Sequence, residues 1–260
     1  MVQARRALEV DLGTALSRQE FDLDFQPIMN IASGEIVGAE ALMRWHSPER
    51  GMVAPDSFIP VAEETGLIVP LGEWALRKAC TAAARWPAGL RVAVNVSAVQ
   101  LKSGSFARSV ISALAFSGVP AGRLELEITE TVLMDESEVV LRTLRQLREL
   151  GIRIALDDFG TGYSSLGYLR RFPVDKIKID RSFIHDLSNR DTAAIVRTVI
   201  GLGAELGITV TAEGVETEVQ LDILRSNGCT EAQGFLIGAP SKAAEIQRLL
   251  RSRAPHSQTG

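Results

Sequence analysis

The chain has 260 residues, 46% of them hydrophobic and 23% charged, with a formal net charge of −4. That length suits one large domain with a substantial core, since closed α/β barrels run to about 250 residues. The weak negative charge leaves no electrostatic footprint for a nucleic-acid polymer, no apolar run approaches the roughly 20 residues of a membrane helix, and no charged-then-apolar start resembles a signal peptide, so a soluble, cytoplasmic domain is expected.

Residues 4–18 (ARRALEVDLGTALSR) carry apolar positions at helical spacing. Residues 1–20 are read as a linker helix from a larger multidomain protein, 21–252 as the domain proper and 253–260 as a disordered tail. Short β-rich apolar runs follow at 23–29, 36–43, 90–96, 123–128, 153–156, 176–179, 208–212 and 229–236. Helical patterns lie near 56–65, 68–85, 98–117, 136–150, 164–171, 189–206, 216–227 and 241–253, bounded by signals such as Pro55-Asp56, Gly151 and Pro240-Ser241. Strand and helix alternating about eight times predicts a TIM-like (β/α)8 barrel. Only residues 30–34 (NIASG) join the first two strands, so a hairpin with one antiparallel strand is expected. Cys80 and Cys229 lie far apart in apolar contexts, where reduced buried thiols are expected in place of a disulfide.

Side chains alternate across a strand, so parity sorts each run into two faces. Val92, Val94 and Val96 oppose Arg91, Ala93 and Asn95; Leu124 and Leu126 oppose Glu125 and Glu127; Ile154 and Leu156 oppose Arg153, Ala155 and Asp157. Ile177 and Ile179 oppose Lys176 and Lys178, Val210 opposes Thr211 and Glu213, and Ala39, Ala41 and Met43 oppose Glu40, Leu42 and Arg44. The branched apolar face meets the helices, which leaves the polar face inside, where charge is costly unless paired or liganded. Asn95, Glu127, Asp157 and Glu213 fall late in their strands, at the C-terminal mouth where barrel active sites sit. Arg91, Glu125, Arg153 and Lys176 fall early and are expected to form structural ion pairs at the closed end.

The chain centres on Ile154-Ala155-Leu156-Asp157-Asp158-Phe159-Gly160-Thr161-Gly162, an apolar strand ending in two adjacent carboxylates and a glycine-rich turn. Adjacent aspartates repel, and a divalent cation relieves them. An N-cap to a helix near Ser164 explains one aspartate but not the second. Glu40, Asn95, Glu127, Asp157 and Asp158 offer only oxygen, which suits Mg²⁺ or Mn²⁺. Lys178 reads either as a salt-bridge partner or as a group holding the attacking water, with Glu213 a base or further ligand. Arg44 reads as a phosphate contact or a surface ion pair. His46, His185 and His256 read as solvent-exposed.

Glu40-Ala41-Leu42-Met43-Arg44-Trp45, Asn95-Val96-Ser97, Glu127-Ile128-Thr129-Glu130, Asp157-Asp158-Phe159-Gly160-Thr161-Gly162, Lys178-Ile179-Asp180, Glu213-Gly214-Val215-Glu216 and Gln233-Gly234-Phe235 resemble, in order, the motifs of EAL-domain cyclic-di-GMP phosphodiesterases. The resemblance implies a barrel with one antiparallel strand that hydrolyses cyclic di-GMP to linear pGpG using two Mg²⁺ or Mn²⁺ ions and is inhibited by Ca²⁺. It implies that Glu40, Asn95, Glu127 and Asp157 bind one metal, that Asp157 bridges to a second held with Asp158, and that Lys178 and Glu213 position or deprotonate water, Glu213 being also a further metal ligand. Gln26, Leu42, Arg44, Glu216 and Gln233 resemble substrate-binding positions. Glu130, Phe159, Gly160, Thr161 and Gly162 resemble a loop that links metal binding to dimerisation, with Glu130 its anchor. A homodimer and an upstream sensor or diguanylate cyclase (GGDEF) domain, with any membrane anchor outside this chain, are the implied partners. Two departures stand out: Asp24-Phe25 where the family usually has His or Tyr before Gln26-Pro27, and the Leu236–Pro240 segment. A metal-free receptor of cyclic di-GMP would lack ligands that this chain retains. An enolase-like lyase or isomerase would share strand-end carboxylates but not the Glu-Gly-Val-Glu and Asp-Asp-Phe-Gly-Thr-Gly pattern together.

Overall fold

The computed structural model describes residues 2–134, 137–160, 172 and 174–252. Its strands are β1 (Phe21–Asn30), β2 (Ile36–Ser47), β3 (Gly51–Val53), β4 (Arg91–Asn95), β5 (Leu124–Thr129), β6 (Arg153–Phe159), β7 (Lys176–Ile179), β8 (Thr209–Ala212), β9 (Glu231–Gln233) and β10 (Ser241–Lys242). Eight of them close a barrel in the order β1, β2, β4, β5, β6, β7, β8, β9 and back to β1. β1 runs antiparallel to both neighbours, with Gln26 opposite Glu40 and Ile28 opposite Gln233, while the other neighbours in the ring pair in parallel. The expected antiparallel hairpin is therefore β1–β2.

β3 pairs with the end of β2 and β10 with β1, both outside the ring. Strands of three and two residues carry too little alternation to be read from a sequence, and β10 occupies the expected start of the last helix. The helix expected over 98–117 is two, Ala98–Lys102 and Phe106–Ser117, because Ser103-Gly104-Ser105 interrupts it. The expected helix at 164–171 and the tail 253–260 lie outside the described residues. Asp157 and Asp158 both belong to β6, so neither caps a helix.

The core lies between the outer face of the barrel and the surrounding helices. Val92, Leu124, Leu126, Ile154, Leu156, Ile177, Ile179, Val210 and Ala212 are all buried there, as parity required. Each fully buried branched or leucine side chain contributes about 1.5–3 kcal/mol. Helix Glu138–Glu149 shows the reciprocal pattern, burying Val140, Leu141, Leu144 and Leu147 on one stripe while its charged residues stay outside. A second apolar cluster joins Phe21, Trp45 and Phe58, with Phe21 and Trp45 stacked at 5.6 Å, and Leu12 and Ala15 of helix Val2–Ala15 are buried in it. Cys80 and Cys229 are free and buried, and burial pushes their thiols up to about 11 and about 12.

Inside the barrel the polar faces form two layers. At the closed end Glu125 forms ion pairs with Lys176 at 2.5 Å and with Arg153 at 3.3 Å. All four residues expected there take part, and the structure adds a fifth, Glu231, which pairs with Lys176 at 2.8 Å and Arg91 at 2.5 Å. Thr211 Oγ donates to the same carboxylate at 3.0 Å. Burial alone would raise the Glu231 pKa, but Lys176 and Arg91 outweigh it and hold the carboxyl below its ordinary value.

Candidate active site

The second layer sits at the C-terminal ends of the parallel strands. Glu40 comes from β2, Asn95 from β4, Glu127 from β5, Asp157 and Asp158 from β6, Lys178 from β7, Glu213 from the residue after β8 and Gln233 from β9. Parallel pairing aligns these ends: Asn95 registers with Glu127, and Thr129 with Asp157. Residues scattered over the sequence therefore converge because each occupies an inward position near the top of its strand.

Alternation alone would send Asp157 and Asp158 to opposite faces. The structure resolves this with a bulge: Leu156 pairs with Ile177 and Phe159 with Ile179, so one extra residue is accommodated in β6. Asp158 takes it up at φ 54°, in the left-handed region that aspartate tolerates better than most residues. Both carboxylates then face the mouth. Oxygens of Asp157, Asp158 and Glu213 lie within 4.8 Å of one another, a spacing that one cation can span.

Lys178 is 1% exposed and is held by four carboxylates: Glu213 at 2.6 Å, Glu127 at 2.8 Å, Asp157 at 3.2 Å and Glu40 at 3.5 Å. Burial would lower its pKa, yet Asp157, Glu127, Glu213 and Glu40 outweigh burial and raise it well above the ordinary value. Glu40 is fixed at both oxygens, by Asn95 Nδ2 at 2.7 Å and Gln233 Nε2 at 2.7 Å. Burial pushes Glu40 up, but Lys178, Gln233 and Asn95 bring it below its usual range. Burial together with neighbouring acids raises Glu127 well above that range, raises Asp158, and pushes Glu213 to about 8.

Besides burial, one charge imbalance runs through these shifts. Five carboxylates face a single ammonium, so the layer is short of positive charge. Glu127 Oε1 is buried without a hydrogen-bond partner among the described residues. An all-oxygen donor set with excess negative charge and an unused buried acceptor fits hard divalent cations, and it offers no sulfur or imidazole to favour softer ones.

The mouth opens into two compartments that share Glu40, Leu42, Asp56, Asp157 and Asp158. One, of about 630 Å³, is mainly apolar, with Ile59, Ile68 and Val132 in its walls. The other, of about 410 Å³, is polar and includes Gln26, Glu213, Glu216 and Gln233. Gln233 reaches both Glu40 and Gln26 Oε1, the latter at 3.1 Å. The next residue, Gly234, passes so close to the turn after β8 that an added Cβ would lie 2.2 Å from the Val215 carbonyl oxygen.

Of the residues resembling substrate positions, Gln26, Leu42, Glu216 and Gln233 line the mouth, and Arg44 does not. Arg44 Nε donates to Asp24 at 2.8 Å, so the departure at Asp24 supplies its partner. Glu130 is buried and accepts from the Gly160 amide at 3.4 Å, and Phe159 is buried in the core. Thr161 and Gly162 lie outside the described residues. Sequence reasoning gave no role to Asp56, Asp180 or Arg181 at the rim of the polar compartment, because residues beyond strand ends carry no periodic signal. His185 is exposed, as read from the sequence, and its Nε2 lies 3.4 Å from Glu216 Oε1.

A family model described as EAL domain matches residues 9–240. Protein y4lL of Sinorhizobium fredii is 51% identical over 97% of this chain and 31% of its own length. The bifunctional diguanylate cyclase/cyclic di-GMP phosphodiesterase MucR of Pseudomonas aeruginosa is 43% identical over 91% of this chain and 35% of its own. The chain thus spans about a third of the length of these curated relatives. A solved structure titled as the PaMucR phosphodiesterase in complex with c-di-GMP superposes with a TM-score of 0.88 at 43% identity, covering 92% of this chain and 99% of that one. Family model, relatives and barrel agree, and the chain belongs to the EAL domain family.

Proposed function

We propose that this chain hydrolyses one phosphodiester bond of cyclic di-GMP to give linear pGpG, with Mg²⁺ or Mn²⁺ as cofactor and Ca²⁺ as inhibitor. The observation that carries the reading is the rim where five carboxylates and Asn95 converge around one buried lysine. The cyclic di-GMP phosphodiesterase activity for which the relative MucR is named supports the same substrate.

Glu40, Asn95, Glu127 and Asp157 would hold one cation, with Asp157 shared toward a second held by Asp158 and Glu213. Divalent cations bound there supply Lewis-acid chemistry, acidifying water and offsetting charge that accumulates on the phosphate. Lys178 and Glu213, 2.6 Å apart, bracket a position for water: Glu213 accepts its proton while Lys178 donates to its oxygen and fixes its approach. The water oxygen bonds to phosphorus, the bond to the 3′ oxygen breaks, and that oxygen takes up a proton, leaving a 3′ hydroxyl and a 5′ phosphate. Gln233 and Asn95 keep the Glu40 carboxylate from turning away. Gln26, Leu42 and Glu216 line the space for the nucleotide. Glu130, through the Gly160 amide, anchors the loop that follows the paired aspartates and serves regulation and dimer formation.

The whole protein, longer than this chain by the measure of its relatives, would carry an upstream sensor or diguanylate cyclase domain joined through residues 1–20, with residues 21–252 acting as the phosphodiesterase in the cytoplasm. No helix among the described residues is long and apolar enough to cross a membrane. The test is incubation of purified protein with cyclic di-GMP and Mg²⁺, with products separated by chromatography. Formation of pGpG that EDTA abolishes is the expected result; binding of cyclic di-GMP without turnover would make the chain a receptor instead.

A further inference from the structure

Arg181 opens the short helix Arg181–His185, immediately after β7 has delivered Lys178 to the mouth. It is exposed and lines the polar compartment together with Gln26, Glu40, Asp157 and Glu213. The helix docks its Arg181 and His185 face against the turn after β8. Gly214, at φ +69°, permits this: a Cβ there would lie 2.6 Å from the Arg181 Cβ and 3.4 Å from His185 Nε2.

A guanidinium beside so many acids is expected to pair with one of them, but several of its neighbours have other partners. Asp180 accepts from the Ser182 amide at 3.0 Å, Glu216 faces His185, and Glu213 and Asp157 hold Lys178. Among the described residues Arg181 makes no ion pair, whereas Arg44 is engaged by Asp24. Among the described residues the polar compartment thus contains an arginine without an ion pair, in the same lining as the metal-binding acids.

Resting on the phosphodiesterase reading above, we propose that Arg181 binds the second, uncleaved phosphate of a substrate that carries two phosphodiesters. Cations held by the paired aspartates and their neighbours would attend to the phosphate that is cut. The other phosphate enters the same acidic mouth, where Asp56, Asp180 and Glu216 repel it. A guanidinium offers that phosphate a two-pronged, charge-assisted contact that a lysine reproduces only as a point charge. Arg181 therefore selects cyclic dinucleotides over diesters with a single phosphate, and it acts in binding, not in bond cleavage.

Arg181→Ala and Arg181→Lys, each checked for an unchanged thermal midpoint, are compared with the wild type on cyclic di-GMP and on bis(p-nitrophenyl) phosphate, a single diester. The expected result for Arg181→Ala is a KM for cyclic di-GMP raised about 10- to 100-fold with kcat within about twofold, the range for losing a charged hydrogen bond. Its loss of kcat/KM on cyclic di-GMP should exceed its loss on the single diester by at least about tenfold, and Arg181→Lys should recover part of it. Equal losses on both substrates, or an unaltered KM for cyclic di-GMP, would overturn the assignment. If the wild type fails to cleave cyclic di-GMP, the hydrolase reading falls by itself, and calorimetric titration with cyclic di-GMP decides the role of Arg181: affinity weakened tenfold in Arg181→Ala sustains it, and equal affinity rejects it.

Discussion

The two polar layers inside this barrel are built on the same strands, only a few residues apart, and they solve opposite problems. At the closed end Arg91, Arg153 and Lys176 meet Glu125 and Glu231, so three cations share two carboxylates and every charge has a partner of opposite sign. At the mouth Lys178 alone faces Glu40, Glu127, Asp157, Asp158 and Glu213. Burial makes uncompensated charge expensive in both places, but only the mouth leaves acids that protons or cations must satisfy. The closed end reads as structure and the mouth as chemistry.

Removing a ligand at the mouth should have the largest effect. Asp157→Ala should lower Mg²⁺-dependent turnover of cyclic di-GMP by about 10³-fold or more while the metal-free fold persists, because it deletes the acid shared by both proposed cations. Product chromatography and circular dichroism on the same sample check this, and retained turnover would remove the distinction between the layers.

The equivalent lesion at the closed end should act on stability. Lys176 is 1% exposed, and Lys176→Met leaves Glu125 and Glu231 short of their shared partner, at a cost of about 3–5 kcal/mol in urea unfolding. Metal affinity per folded molecule should be unchanged. The same layer shapes the acid limb. Because the folded pKa of Glu231 is depressed, its contribution is present above the unfolded carboxylate value and is lost as pH falls through the lower folded value. Glu231→Gln should therefore flatten the pH dependence of stability below about pH 4.5.

Smaller effects sharpen the contrast. Mg²⁺ at a hundred times its dissociation constant should stabilise the wild type by about 2.7 kcal/mol, read as a shift in thermal midpoint that Asp157→Ala does not show. In metal-free protein, Asp158→Asn should raise stability slightly, since burial and the neighbouring acids both disfavour its charged form. A destabilised Asp158→Asn protein would mean that this carboxylate is already compensated.

Much of this was legible in one dimension because a strand alternates strictly between faces. Parity placed Glu125 with Lys176 and Glu127 with Lys178 inside the barrel, and position along each strand divided the closed end from the mouth. Glu231 escaped because residues 229–236 read as one long strand, whereas β9 spans Glu231–Gln233 and the chain turns at Gly234. Arg44 shares a face with Glu40, yet its guanidinium turns to Asp24 on the neighbouring strand, a choice that depends on the β1–β2 register.

The sequence by itself determined the barrel, its antiparallel hairpin and the oxygen-rich character of its rim, because apolar period and residue chemistry are local properties of the chain. Only the tertiary structure decided how two adjacent aspartates face the same way, through a bulge in β6, which carboxylates share Lys178, and which arginine lines the mouth. Those outcomes depend on distances between strands and on competition among neighbouring charges, which no single segment contains.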